Sequence, residues 1–259
     1  MDRREFMKKA ALATAGGAIT TPVSAILSNS GYAGLTGNSE EPSQNAWQGG
    51  KSPKVLLVNG SPRTDGNTFC CLSEIKSQLL KHGVESEMVH IGRQPVRMCI
   101  NCGGCHQNGG KGCVFDDDLC NTITQKMATS DALIVGTPVY YGQPNGGILS
   151  LMQRLFFSAG HLVQNKPAAA LAVCRRGGAT ATLQTMNMMF EMMNMPVVTS
   201  QYWNIAYGAG KGEVKLDTEG MQTMRTLATN MAFLLEKIHA GGDTAPKHDE
   251  RPQFLNFIR

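Results

Sequence analysis

From residue 54 onward, short and almost unbroken apolar runs alternate with longer stretches in which apolar residues recur every three or four positions. The short runs, Lys54–Asn59, Glu85–Ile91, Ala132–Gly136, Ala168–Cys174 and Val197–Trp203, read as strands. The periodic stretches, Thr68–His82, Asp118–Ser130, Gly147–Ala159, Ala179–Met193 and Thr218–Ala240, read as helices. In the third of these, Ile148, Leu151, Met152, Leu155 and Phe156 share one face. Runs such as Val55-Leu56-Leu57-Val58 have no polar side, which suits a parallel sheet covered by helices on both faces. The alternation therefore predicts an α/β domain with five parallel strands. In open sheets of this kind ligands bind beyond the carboxyl ends of the strands, which singles out the loops after the first, third and fourth strands.

Residues 1–33 have a different character. Arg3-Arg4 and Lys8-Lys9 precede a weakly apolar run, Ala10–Leu27, and the small residues around Ala33 fit a cleavage site. This order looks like a twin-arginine export signal and predicts a periplasmic or other extracytoplasmic location. A membrane helix needs about 20 strongly apolar residues, and Thr14, Gly16, Gly17, Thr20, Thr21 and Pro22 dilute this run. Residues 34–52 are polar and read as a linker to a single domain over 53–241. Residues 242–259 read as a tail that either docks on a neighbouring subunit or frays. Half of the net charge of +4 belongs to the leader, so the remainder carries no argument for nucleic-acid binding, and no membrane segment is expected in the mature chain.

The loop after the first strand, Asn59-Gly60-Ser61-Pro62-Arg63-Thr64-Asp65-Gly66-Asn67-Thr68, has the chemistry of an anion cradle. Gly60 and Gly66 permit close backbone approach, Ser61 and Thr68 supply hydroxyls, and Arg63 supplies a charged fork. Asn67 is placed to cap the following helix, whose first amides attract a phosphate. The spacing matches neither the dinucleotide fingerprint nor the nucleotide-triphosphatase loop, so a terminal monophosphate fits better than a pyrophosphate. After the third strand, Pro138-Val139-Tyr140-Tyr141-Gly142 offers aromatic faces and backbone amides to a planar ring. After the fourth, Arg176 and Gly177 offer positive charge and a flexible backbone, or simply the start of a helix.

Cys99, Cys102, Cys105 and Cys113 form a C-x2-C-x2-C-x7-C array in a glycine-rich loop over residues 96–118. The tight triplet is spaced as in bacterial ferredoxins. The glycine-rich gap lets Cys113 return to the same site, so one 4Fe-4S cluster is the leading reading. Zinc, disulfides and free thiols stay open, although structural zinc usually takes two separated cysteine pairs. Cys70, Cys71, Cys120 and Cys174 read as small buried hydrophobes. The methionines between Met186 and Met195 read as core or dimer-interface filling, His161 has no partner visible in the sequence, and Asp116, Asp117 and Asp118 read as caps of the next helix.

Between about Lys54 and Ala240 the chain resembles the flavodoxin-like NADPH-dependent FMN reductase family, in its iron-sulfur flavoprotein branch. Gly60-Ser61-Pro62-Arg63 with Gly66-Asn67-Thr68, then Thr137-Pro138-Val139-Tyr140-Tyr141-Gly142, and the cysteine cluster carry the resemblance. It implies a doubly wound sheet in the order 2-1-3-4-5. It implies FMN with its phosphate at Ser61, Arg63, Gly66, Asn67 and Thr68, and its ring at residues 138–142. It also implies a homo-oligomer. The function expected is an exported FMN-dependent oxidoreductase that passes electrons between FMN and a 4Fe-4S cluster, to or from a small acceptor or a protein redox partner. The alternatives are an NAD(P)H-dependent FMN or quinone reductase with structural cysteines, and a non-catalytic electron carrier.

Overall fold

The computed structural model describes residues 51–242. The expected signal, linker and tail lie outside these residues, apart from the last positions of the linker and the first of the tail. Among the described residues the elements are β1 (Lys54–Asn59), α1 (Asn67–Lys81), β2 (Glu85–His90), α2 (Gly104–Gln107), α3 (Cys120–Ala128), β3 (Ala132–Tyr140), β4 (Gln143–Pro144), α4 (Gly146–Ala159), β5 (Ala168–Cys174), α5 (Ala179–Met192), β6 (Ile205–Tyr207) and α6 (Thr218–Ala240). Single 3-10 turns follow α4 and precede α6.

The sheet runs β2-β1-β3-β5-β6, all pairs parallel, with β4 folded back antiparallel on β3. The hairpin strand β4 lies off the main path, so the five parallel strands follow the order expected. Alternation along β1 divides the core. Val55 and Leu57 pack with Leu72 and Ile75 of α1 and Leu227 of α6, whereas Leu56 and Val58 pack with Ile123 of α3, Leu151 of α4 and Leu183 of α5. A period of two sends successive side chains to opposite faces, and both faces are covered, as parallel sheets require.

The last strand departs from expectation. Val197 makes only an isolated bridge to Ala168, and the chain rejoins the sheet at Ile205 instead of continuing through Trp203. Between these points the Ser200 hydroxyl donates to the carbonyl of Tyr202 at 2.7 Å and to Oδ1 of Asn204 at 2.9 Å. This local turn takes Tyr202 and Trp203 out to solvent, where their rings meet at 5.0 Å with planes tilted by 59°. An edge strand has a neighbour on one side only, so local side-chain bonds to the backbone compete with the ladder more easily there.

The third strand is longer than the apolar run predicted. Tyr141 and Gly142 take positive φ of 52° and 76°, forming a two-residue hairpin turn that pairs Tyr140 with Gln143. Cys71, Cys120 and Cys174 are buried as expected, and Cys70 is half-buried. Met186 and Met195 join the core, while Met188 and Met192 face outward.

Candidate functional site

The loop from β1 to α1 is anchored to the sheet through backbone contacts. Gly60 donates to the carbonyl of Gly136 at 2.7 Å, and a Cβ on Gly60 would sit 2.8 Å from that oxygen and 2.9 Å from Cβ of Ile148, so the approach admits only glycine. Buried Asn59 accepts from the amide of Ser61 at 3.0 Å, and the Ser61 hydroxyl accepts from the amide of Arg63 at 3.1 Å. These bonds curl the loop over the start of α1. Thr68 is buried against Gly136, where a Cβ would meet its methyl at 2.9 Å.

Gly66, not Asn67, is the N-cap of α1, and no side chain caps this helix. The first-turn amides therefore keep their donors free for an anion. Asn67 turns the other way: its Nδ2 donates to the carbonyl of Gly210 at 2.9 Å and its Oδ1 accepts from the amide of Val214 at 3.4 Å. This corrects the capping role expected of it. Asn67 instead ties the loop of residues 208–214 to the cradle, assisted by an exposed Lys211–Asp65 ion pair. The lysine's hydrogen bond and charge hold the Asp65 carboxyl below its usual range.

The other two loops meet at glycines. Gly178, at φ +88°, is the N-cap of α5, and a Cβ on it would lie 2.6 Å from Cα of Gly142 and 3.1 Å from Cγ1 of Val139. The loop of 138–142 and the loop of 175–178 are thereby welded together at the carboxyl edge of the sheet. Tyr140 is half-exposed and Tyr141 fully exposed at the hairpin tip, Pro138 and Val139 lie partly buried beneath them, and Arg176 and Gly177 face solvent. Thr137 accepts from the amide of Asn145 at 3.0 Å, and Asn145 caps α4 through the amide of Gly147 at 2.9 Å.

The cysteine array lies on the far part of α4. Cys99, Cys102, Cys105 and Cys113 all line one shallow hollow, with Met98, Ile100, Val114 and Phe157 on its walls. Cys105 is buried on α2, a single turn whose N-cap is Gly103 at φ +71°. A Cβ on Gly104 would meet Val114 at 2.7 Å, so the two limbs of the loop touch there. Asn121 of α3 brings Cys113 back: its Oδ1 accepts from the Cys113 amide and its Nδ2 donates to the Cys113 carbonyl, both at 2.9 Å.

No three Cys, His, Asp or Glu side chains among the described residues converge on a single metal ion. None of the eight cysteines forms a disulfide. Four thiols around one common hollow are a soft donor set of the kind an iron-sulfur cluster takes, and their tight triplet differs from the two separated pairs usual for structural zinc.

Three residues of this region escaped the sequence reading. Arg154 of α4 is buried and paired with Asp118, which also accepts from the amide of Arg97 at 2.8 Å and of Cys120 at 3.0 Å. Asp118 is thus less a helix cap than a bracket for the cysteine loop, and α3 begins at Cys120, later than expected. Asn59 and Lys211 likewise showed no signal beyond being polar near a glycine-rich loop. His161 is exposed beside Gly110, where a Cβ would lie 3.3 Å from its ring.

A doubly wound parallel sheet with an uncapped helix start, an aromatic hairpin loop and an arginine- and glycine-bearing loop at its carboxyl edge defines the flavodoxin-like class. RosB, solved with the riboflavin-5'-phosphate derivative bound to it, superposes with a TM-score of 0.59 at 17% identity, over 80% of this chain and 93% of that one, which establishes the shared fold. Residues 53–210 match the NADPH-dependent FMN reductase family. An iron-sulfur flavoprotein of Methanocaldococcus jannaschii is 32% identical over 71% of this chain and 98% of its own length. Another, of Methanosarcina thermophila, is 31% identical over 73% and 99%. The chain belongs to the NADPH-dependent FMN reductase family, among its iron-sulfur flavoproteins, and is by class a flavin-dependent oxidoreductase.

Proposed function

We propose that this protein is an exported FMN-dependent oxidoreductase that passes electrons between FMN and a 4Fe-4S cluster, to or from a small acceptor or a protein redox partner. FMN takes electrons in pairs and gives them singly, and the cluster carries them one at a time. The phosphate would be held by the free amides at the start of α1, with Ser61, Thr68 and the exposed fork of Arg63, while Asn67 braces the neighbouring loop. The hairpin 138–142 would flank the ring, and Arg176 with the Gly177 backbone would offset negative charge gained on reduction. Cys99, Cys102, Cys105 and Cys113 would hold the cluster.

The observation that carries this reading is the shared hollow of the four cysteines and its place on the helix that also reaches the cradle. Ile148 of α4 touches Gly60, and Arg154 of the same helix lines the hollow. Six residues of helix separate them, about 9 Å at the α-helical rise. Both proposed centres therefore stand on one rigid element. Among the described residues no helix is long and apolar enough to cross a membrane. Export rests on the leader sequence alone, and outside the cytoplasm a quinol, a cytochrome or a ferredoxin-like protein is a more consistent donor than NADPH. The family description favours a second reading, direct reduction by NADPH with the cysteines structural.

Anaerobic purification with iron, sulfide and flavin quantitation tests the proposal. Cys105→Ser is expected to lose iron and its broad visible absorbance while retaining FMN; iron content unchanged in that variant refutes the ligand assignment. Rapid bleaching of the flavin by NADPH in an iron-free protein supports the second reading, and absence of turnover with any acceptor indicates a carrier.

A further inference from the structure

Arginine on the inward face of a helix is rare, because a guanidinium taken out of water must find partners for all of its donors. Arg154 is 2% exposed, on the same face of α4 as Leu151 and Leu155. Its partners all belong to the cysteine loop. Nη1 donates to Asp118 and to the carbonyl of Arg97 at 3.1 Å, and Nη2 donates to the carbonyl of Phe115 at 3.2 Å. Arg97 lies two residues before Cys99 and Phe115 two residues after Cys113, so one side chain grips both limbs of the loop. Nε is buried and has no hydrogen-bond partner. An orphaned buried donor is costly to leave unmet, and Arg154 lines the hollow shared by the four cysteines.

Resting on the cluster reading above, we propose that Arg154 donates a hydrogen bond from its buried guanidinium to the sulfur of Cys113 and thereby raises the reduction potential of the cluster held there. Arg154 and Cys113 line the same hollow, and Nη2 of Arg154 already holds the carbonyl of Phe115, two residues beyond Cys113. A neutral thiol accepts weakly, whereas a thiolate ligand accepts a charge-assisted bond. An added electron increases the negative charge on the sulfurs, so the bond strengthens on reduction and favours the reduced state. Arg154 is a positioning residue in this account. It touches a ligand, not the substrate.

Two measurements test this. In the wild-type protein, labelling with guanidino-15N arginine is expected to give a 15N hyperfine coupling in the reduced, paramagnetic form, and Arg154 is the one arginine lining the hollow among the described residues. In the double variant Arg154→Gln with Asp118→Asn, the buried pair is removed as a unit, leaving no unpaired charge and no change in net charge. Its reduced fraction at fixed potential is expected to fall on the order of tenfold, which is about 59 mV in the midpoint for a one-electron couple. A merely structural role would move neither the coupling nor the midpoint of molecules that retain full iron. An absent coupling, or an unmoved midpoint at full iron content, overturns the inference and leaves the cluster reading standing. Wild-type protein without iron overturns both. If the double variant loads no iron, the wild-type coupling decides alone.

Discussion

Replacing Gly178 by alanine strikes the contact on which the two proposed ring loops depend. The new Cβ would stand 2.6 Å from Cα of Gly142, a backbone atom that cannot rotate away, and the residue would keep φ near +88°. The left-handed backbone costs about 1–2 kcal/mol for a residue with a Cβ, and forcing an extra carbon into a packed contact costs about 1–3 kcal/mol. The expected loss is thus about 3 kcal/mol, or roughly 6–12 °C in melting temperature for a domain of this size. If the loops part to relieve the clash, some of this appears instead as weaker FMN binding, about tenfold for each 1.4 kcal/mol. Thermal unfolding with and without FMN, together with an FMN titration followed by flavin fluorescence, separates the two routes. Gly177→Ala is the control, since nothing lies within 4 Å of a Cβ there and its φ is ordinary, so stability should change by under about 0.5 kcal/mol. A Gly178→Ala protein that melts within about 2 °C of wild type and binds FMN equally well would refute the close-contact reasoning.

Two further outcomes concern the scaffold. Glu87 sits between Lys54 and Lys126, and the hydrogen bond from Lys126, then that from Lys54, depress its pKa to about 2. A depressed carboxylate pKa gives stability that is present above its unfolded value of about 4.3 and fades as pH falls toward the folded value. Denaturation curves of Glu87→Gln and wild type should therefore differ near neutral pH, by less than about 1 kcal/mol for so accessible a group, and converge near pH 2; a constant gap across that range would count against the ion-pair account. Lys166 donates from Nζ to the carbonyls of Met127 at 2.9 Å and Ser130 at 2.7 Å, closing the C-terminal end of α3, and burial lowers its pKa. Lys166→Met should destabilise by about 1–2 kcal/mol in urea unfolding by leaving the Ser130 carbonyl unmet, while the Met127 carbonyl keeps the Ser130 amide, and an unchanged midpoint would show that water replaces the ammonium at no cost.

Features with a local cause were readable in the chain itself. Apolar periods of two and of 3.6 report which faces are buried, so five parallel strands, five helices and their both-sided core followed from patterning. Glycines at Gly60 and Gly66, and the close triplet Cys99, Cys102 and Cys105, announced the cradle and the thiol cluster because tight turns and soft ligands restrict residue type at short range. Tertiary structure alone decided what depends on residues distant in sequence. Asn67 faces the loop of residue 210 and not its own helix, Gly178 meets Gly142, and the edge strand breaks between Val197 and Ile205 because Ser200 binds nearby backbone. Above all, Arg154 enters the core to join Asp118 and both limbs of the cysteine loop. A buried charge is settled by which partners the fold delivers, and no local period records that delivery.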